Sequence, residues 1–233
     1  MKRMLVCLAV GAMVAAFAAP VFAGTLDLAR VGLHIQGHNT KNWCTTNAPS
    51  TFGCDAVAET STMNTVAAVG VSYDMYIVVV DIPVAAGLQG IEFGISYDPV
   101  GASGLDAFGV VSCASLEVPG LGWPNAGGVA TYTWTTCQGT VDAGDPQGEM
   151  YQICASIYAY AYGPDTACIE KKASGVLGGT DCAATSSDLV PHFPLNAGCV
   201  DFGGGTGSHP CVQLVTPVEE TTWGAIKSQF EGE

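Results

Sequence analysis

Apolar and polar residues alternate along much of the chain with the two-residue period of a β-strand. Every second residue is apolar in 29–36, 91–97 and 130–135, which predicts three strands that each bury one face. Residues 73–84 are apolar on both faces and rich in β-branched side chains, so this segment is predicted to be a central strand. Further strands are predicted at 107–112, 149–162 and 197–202.

Glycine and proline separate these segments. The chain has 30 glycines and 12 prolines, and residues 85–87, 98–99 and 120–128 are typical of turns and loops. About eight short strands between such turns indicate an all-β fold, because an α/β fold would place helices between its strands. Since the strand lengths vary and no repeat marks a barrel or propeller, the predicted fold is a disulfide-stapled, two-sheet antiparallel β-sandwich.

The two ends of the chain differ from this body, which predicts three parts: 1–23, 24–215 and 216–233. In the last part Thr216 is a helix cap, Pro217 stands at the first helical position and Glu219 follows three residues after the cap. Apolar residues then recur with helical spacing at Trp223, Ile226 and Phe230. A short C-terminal helix is predicted, either docked on the sandwich or serving as a sorting tag.

The first part has the three zones of a cleavable secretory signal. Lys2 and Arg3 supply the positive charge, 5–17 is apolar, and 21–23 (VFA) has the small residues of a cleavage site. A membrane anchor is the rival interpretation, but Pro20 interrupts the apolar stretch where cleavage is expected. No second apolar segment is long enough to span a membrane, so the mature protein is expected to be secreted, extracellular or on the cell surface.

The charge of the chain is strongly acidic. The whole sequence has a net charge of −14, and without Lys2 and Arg3 five basic residues stand against 21 acidic ones, a net charge of −16. This composition argues against nucleic acid and anionic membrane surfaces as partners, because both need basic patches.

Nine cysteines remain after removal of Cys7 with the signal, and in an exported protein they predict a disulfide framework. No CxxC spacing supports zinc, and the histidines His34 and His38, four residues apart, fall on a predicted strand. An odd count leaves one thiol, and Cys154 is the candidate because it lies inside the longest predicted strand. The pairs expected from the spacing are Cys44–Cys54 and Cys113–Cys137, with Cys168–Cys199 and Cys182–Cys211 favoured, but not firmly ranked, among the rest.

Several segments resemble a group of uncharacterised secreted proteins of uncultured bacteria. These are residues 29–34 (ARVGLH), the hairpin 73–98, the Gly122-Trp123-Pro124 loop and, most specifically, the tail 217–227 (PVEETTWGAIK). The resemblance implies secretion and a shared fold, and no activity. Residues 87–99 (GLQGIEFGISYDP) also resemble the early strands of cohesin-type, Ig-like sandwiches, which are non-catalytic modules that bind another protein.

Aromatic residues give the best binding hypothesis. Ser156, Tyr158, Tyr160 and Tyr162 lie on one face of the longest predicted strand, and such rings can stack against sugars. Tyr132 and Trp134 form a second pair, and Trp123 lies in a loop that the Cys113–Cys137 disulfide would close. The alternative is structural: strand tyrosines half-bury against their neighbours, and Trp123 plugs the end of the sandwich.

Other candidate chemistry is weaker. Asp142, Asp145 and Glu149 cluster in a Pro/Gly loop with oxygen ligands suited to structural calcium, without EF-hand spacing. His34 and His38 would lie about 13 Å apart along a strand, so they are expected to be solvent-facing residues rather than zinc ligands. Residues 203–209 match no phosphate-binding motif and predict a connecting loop.

These observations favour a non-enzymatic secreted or cell-surface protein that acts in adhesion, surface structure or ligand binding. Its expected partner is another extracellular protein or a polysaccharide. The first alternative is a carbohydrate-binding module that uses the tyrosine row or Trp123, and the second is a hydrolase with paired carboxylates. No cofactor is expected apart from structural calcium.

Overall fold

A computed structural model describes residues 25–39, 43–44, 54–55, 60–61, 63–98, 104–141 and 150–211, with the backbone alone at 54–55, 60–61 and 140–141. The predicted signal, the predicted C-terminal helix and the predicted calcium residues Asp142, Asp145 and Glu149 lie outside these ranges. The described strands are β1 (Arg30–Gly37), β2 (Cys54–Asp55), β3 (Thr60–Ser61), β4 (Val66–Ala67), β5 (Ser72–Ile82), β6 (Leu88–Ser96), β7 (Leu105–Ser112), β8 (Leu116–Pro119), β9 (Val129–Gln138), β10 (Thr140–Val141), β11 (Met150–Ala161), β12 (Asp165–Glu170), β13 (Gly178–Thr180), β14 (Ser186–Asp188) and β15 (Cys199–Phe202).

Two sheets form the sandwich, as the sequence predicts. In the first sheet β5 lies between β1 and β11, and β11 also pairs with β7 and β10. In the second sheet β6 pairs with β9 on one side and with β12 and β13 on the other, and β8 forms the edge beyond β9. The sheets are not wholly antiparallel, because β15 pairs with β4 in parallel. The short strands β2 and β3 form a separate pair.

The main core lies between the two sheets and follows the two-residue period of the strands. Val31, Leu33 and Ile35 of β1 face inward with Met75, Ile77 and Val79 of β5, and Phe93 and Ile95 of β6 meet them from the second sheet. The prediction of β5 as a central strand is confirmed by its position between β1 and β11.

A second, smaller apolar cluster covers part of the outer face of the first sheet. It contains Tyr76, Val78 and Val80 of β5 together with Met63 and Cys211 from outside the sheet. This cover explains why β1 is not half-buried as predicted. His34 is buried on this face, with its Nδ1 accepting a hydrogen bond from the Asn64 amide at 3.0 Å, so the prediction of a solvent-facing His34 is wrong.

The disulfides join different elements from those that the cysteine spacing suggests. The structure bonds Cys44 to Cys113 and Cys137 to Cys182, so the predicted pairs Cys44–Cys54, Cys113–Cys137 and Cys182–Cys211 are wrong. Cys211 is disulfide-bonded. Register, not spacing along the chain, decides the pairing: Cys168 of β12 lies directly opposite Cys199 of β15, and these two are bonded as the sequence analysis favoured.

Cys154 is a free thiol in the main core. It is fully buried on β11, and burial raises its pKa, because a thiolate would lose its hydration there. The thiol packs as a small apolar group, as the sequence analysis expects.

Candidate functional site

The register of the first sheet collects aromatic side chains on its outer face. On β11 Ala155, Ile157 and Ala159 belong to the core, so Tyr158 and Tyr160 point the other way. Tyr158 lies opposite Phe108 of β7, and Tyr160 lies opposite Asp106 of the same strand. We call His38, Phe108, Tyr158, Tyr160 and Tyr162 the aromatic face.

The rings of the aromatic face form two contacting groups, one around Tyr158 and one of Tyr160 with Tyr162. The ring centroids of Tyr158 and Phe108 are 4.5 Å apart, and those of Tyr158 and His38 are 4.9 Å apart with nearly perpendicular planes. A second pair, Tyr160 and Tyr162, has centroids 4.8 Å apart. Phe108 is 48% exposed and Tyr162 57% exposed. The face therefore presents apolar ring surface to solvent from a rigid sheet.

Hydrogen bonds fix the inner edge of this face. Asp74 of β5 is 1% exposed, and its two oxygens accept hydrogen bonds from His38 Nδ1 and from the Asn39 amide, each at 2.8 Å. The hydroxyls of Ser72 and Tyr158 are 2.7 Å apart. Next to them, burial and the Asp74 carboxylate raise the pKa of Tyr76 to about 12. The polar groups under the rings are thus held in place.

Trp123 does not belong to a comparable surface. It is partly buried against the main core, where its ring contacts Phe93 and Tyr132. Its indole Nε1 donates a hydrogen bond to Glu117 Oε1 at 2.8 Å. Because Cys113 and Cys137 are not bonded to each other, no disulfide between them closes this loop. These contacts fit the alternative in which Trp123 plugs the end of the sandwich.

Tyr132 and Trp134, the second aromatic pair of the sequence analysis, are buried in the main core. The Tyr132 hydroxyl donates to Glu117 at 3.1 Å. Burial, with the nearby Glu117 carboxylate, raises the pKa of Tyr132 far above its ordinary value. Neither residue is available to a ligand. Of the predicted aromatic residues, Tyr158, Tyr160 and Tyr162 are the ones that the structure places together outside the core.

Two shallow grooves lie along the second sheet and its loops. One is lined by Asp165 and Asp201, whose carboxylates accept hydrogen bonds from the Leu105 and Gly205 amides at 2.8 Å and 2.6 Å. The lining of the other includes Glu92, which forms an ion pair of 2.7 Å with Lys172. These charged groups connect neighbouring segments of the fold.

Within the described ranges, no group of three or more histidine, cysteine or acidic residues is placed to hold a metal ion. His34 and His38 bind Asn64 and Asp74, respectively, and not a common ligand. Over the same ranges, no helix is both long and apolar enough to cross a membrane.

Sequence reasoning missed Phe108, His38 and Asp74 as members of the site. Phe108 and Tyr158 become neighbours through the pairing of β7 with β11, which sequence spacing does not specify. One signal was present: Asp74, like Asp81, stands in a segment that is otherwise apolar on both faces. A carboxylate there must have hydrogen-bonding partners, because burying it without them is costly.

No protein-family model matches the chain, and no curated protein matches it. Among solved structures, a cohesin module from a family 33 glycoside hydrolase of Clostridium perfringens is similar over 75% of this chain and 97% of that module. The two share 7% sequence identity, and the TM-score is 0.39. At this level the likeness assigns no function.

Proposed function

We propose that this protein is a non-enzymatic, extracellular binding module whose aromatic face binds carbohydrate. The observation that carries the proposal is the exposed cluster of contacting rings on one face of a rigid sheet. Rings such as Phe108, Tyr158 and Tyr160 offer large apolar surfaces for the C–H faces of sugar rings. The Tyr160 and Tyr162 hydroxyls and the Asp106 carboxylate supply polar contacts at the same place.

The position of the face also supports binding. Ligand sites combine apolar surface with a few well-placed polar groups, and Phe108, Tyr158 and Tyr160 stand on strands rather than on loops. The three described disulfides support an extracellular location, because such bonds persist in oxidising compartments. The predicted signal of residues 1–23 points the same way.

A glycan array followed by calorimetry on the best oligosaccharide tests the proposal. We expect Phe108→Ala and Tyr160→Ala each to weaken binding roughly tenfold, because each removes ring surface from the sugar. Both side chains are partly exposed, so the variants should keep their fold.

Leu116→Ala is the matched control. Leu116 is also an exposed apolar residue, 56% exposed, but it stands on β8 of the second sheet. Its replacement should leave the affinity unchanged. A protein that binds no glycan on the array, or variants that bind as tightly as the wild type, would show that the aromatic face has another role.

A further inference from the structure

Asp74 holds the imidazole of His38 in a single orientation. The Asp74 carboxylate is buried, and its Oδ1 lies 2.8 Å from His38 Nδ1. Its Oδ2 accepts a hydrogen bond from the Asn39 amide, and this bond holds the backbone of the residue that follows His38. The Tyr158 ring contacts the imidazole with its plane nearly perpendicular to it. The ring of His38 is therefore positioned by its neighbours before any ligand arrives.

This contact also decides which nitrogen of the neutral imidazole carries the hydrogen. A carboxylate only accepts hydrogen bonds, so the nitrogen that faces it, Nδ1, must be the donor. The other nitrogen, Nε2, then keeps its lone pair and is an acceptor. No described residue forms a hydrogen bond with Nε2, and the side chain is 29% exposed.

We propose that His38 Nε2 is the specificity-determining acceptor of the aromatic face and selects a ligand by a sugar hydroxyl that donates to it. Asp74 is the positioning residue that maintains this acceptor. This inference rests on the proposed function, since it names how the same face recognises a saccharide. A pyranose that packs on Phe108 and Tyr158 would lie beside the imidazole, because Tyr158 contacts both rings.

The ligand side of the inference is tested with methyl glycosides of glucose, galactose and mannose and with analogues in which one hydroxyl is replaced by fluorine. Fluorine cannot donate a hydrogen bond. For the wild type, replacement at one position should weaken binding about three- to tenfold, which corresponds to the loss of one hydrogen bond. The measurement is calorimetry at a pH where the imidazole is neutral.

Two variants test whether His38 causes the weaker binding of the fluorinated glycoside. The His38→Phe variant should bind the fluorinated and the hydroxylated glycoside equally well, because both groups then contact the same apolar ring. In Asp74→Asn the amide group can donate to Nδ1, which moves the ring hydrogen to Nε2 and changes the acceptor into a donor. Replacement of the hydroxyl by fluorine should then weaken binding less than it does in the wild type. Nitrogen-15 NMR of His38 reports the tautomer in each protein without any ligand.

The outcomes separate this inference from the function on which it rests. If no glycoside and no oligosaccharide binds, the carbohydrate function and the inference fail together. If saccharides bind but fluorination costs the same in His38→Phe as in the wild type, the inference alone is overturned. It is also overturned if the NMR of the wild type places the hydrogen on Nε2.

Discussion

Arg30 and Asp81 form an ion pair in a place where an unpartnered charge would be very costly. Arg30 Nε lies 2.7 Å from Asp81 Oδ2, and both side chains are almost fully buried. The Arg30 guanidinium also donates to the Pro210 carbonyl at 2.8 Å, which ties the chain near Cys211 to β1. Asp81 has a φ of 55°, in the left-handed region that aspartate and asparagine tolerate best among residues with a Cβ.

Asp81→Asn should destabilise the protein by about 3–5 kcal/mol, because it removes the negative charge that lies 2.7 Å from the buried Arg30 guanidinium. Asparagine keeps both the shape and the backbone preference of the native residue, so the effect reports the charge. Urea unfolding measures it. Asp98→Asn, at an exposed position, is the control and should change the free energy of unfolding by less than about 0.5 kcal/mol. Equal effects of the two variants would contradict the argument.

His34 links stability to pH. Burial lowers the pKa of His34 from 6.5 to about 4. Its Nδ1 accepts a hydrogen bond from the Asn64 amide, and protonation of Nδ1 would break this bond. The unfolded chain therefore binds this proton between pH 6.5 and pH 4 while the folded protein does not. Stability should be full above pH 6.5 and fall by on the order of 3 kcal/mol as the pH decreases to 4.

Urea titrations across this pH range test the His34 prediction. The free energy of unfolding of His34→Gln should depend less on pH, since glutamine does not titrate and can still accept a hydrogen bond. If the pH dependence of the variant matched that of the wild type, another group would be responsible.

At the scale of elements, the turn that enters β6 is shaped by a disulfide. Gly87 has a φ of 59°, and a Cβ built on it would overlap the sulfur atoms of both Cys137 and Cys182. The backbone of this turn therefore packs directly on the disulfide that joins β9 to the loop after β13. The absence of a side chain at Gly87 is what permits the contact.

Gly87→Ala should lower the melting temperature and increase the fraction of molecules in which Cys137 and Cys182 remain reduced. Gly90→Ala, in β6, is the matched control, because a Cβ there would meet Thr133 and Thr180 at ordinary distances of 3.5–3.6 Å. Thermal unfolding and mass spectrometry after thiol alkylation measure the two effects. A fully oxidised, equally stable Gly87→Ala protein would refute the steric argument.

The pattern of apolar residues in the sequence predicts the long strands but not the short ones. β6 was predictable because its apolar residues alternate with polar ones or glycine, and β5 and β11 because they are long apolar runs rich in β-branched and aromatic residues. β8 and β13 were not, since Pro119 and the pair Gly178-Gly179 give no strand signal and their pairing depends on neighbouring strands. The partners of Cys44, Cys113, Cys137 and Cys182 and the Phe108–Tyr158 contact depend on how distant segments meet in the fold, so they could not be predicted either.

For the molecule as a whole, the notable feature is a core on each side of the first sheet. The outer cluster contains Trp43 and Cys113 at its margin, and the Cys44–Cys113 disulfide joins the segment at Trp43 to the chain just after β7. This bond spans 69 residues of sequence. It therefore limits the freedom of the unfolded chain over a long distance.

Cys44→Ala combined with Cys113→Ala should lower the free energy of unfolding by about 4 kcal/mol on the chain-entropy argument for such a loop. The control is Cys154→Ala, which removes a buried cysteine without breaking a disulfide and should cost about 1 kcal/mol. Urea unfolding of the two proteins compares them. Similar losses in both would mean that this disulfide contributes little beyond packing.

The disulfides Cys137–Cys182 and Cys168–Cys199 interleave along the chain, which has a consequence for a chain exported as proposed. A polypeptide that crosses a membrane from its N-terminus delivers Cys137 after Cys44, Cys54 and Cys113, and it delivers Cys154 and Cys168 before Cys182. All the thiols that reach the far side before Cys182 are wrong partners for Cys137. We therefore expect correct oxidation of the exported chain to depend on reshuffling by a disulfide isomerase, or on bond formation that waits until the sheets have paired.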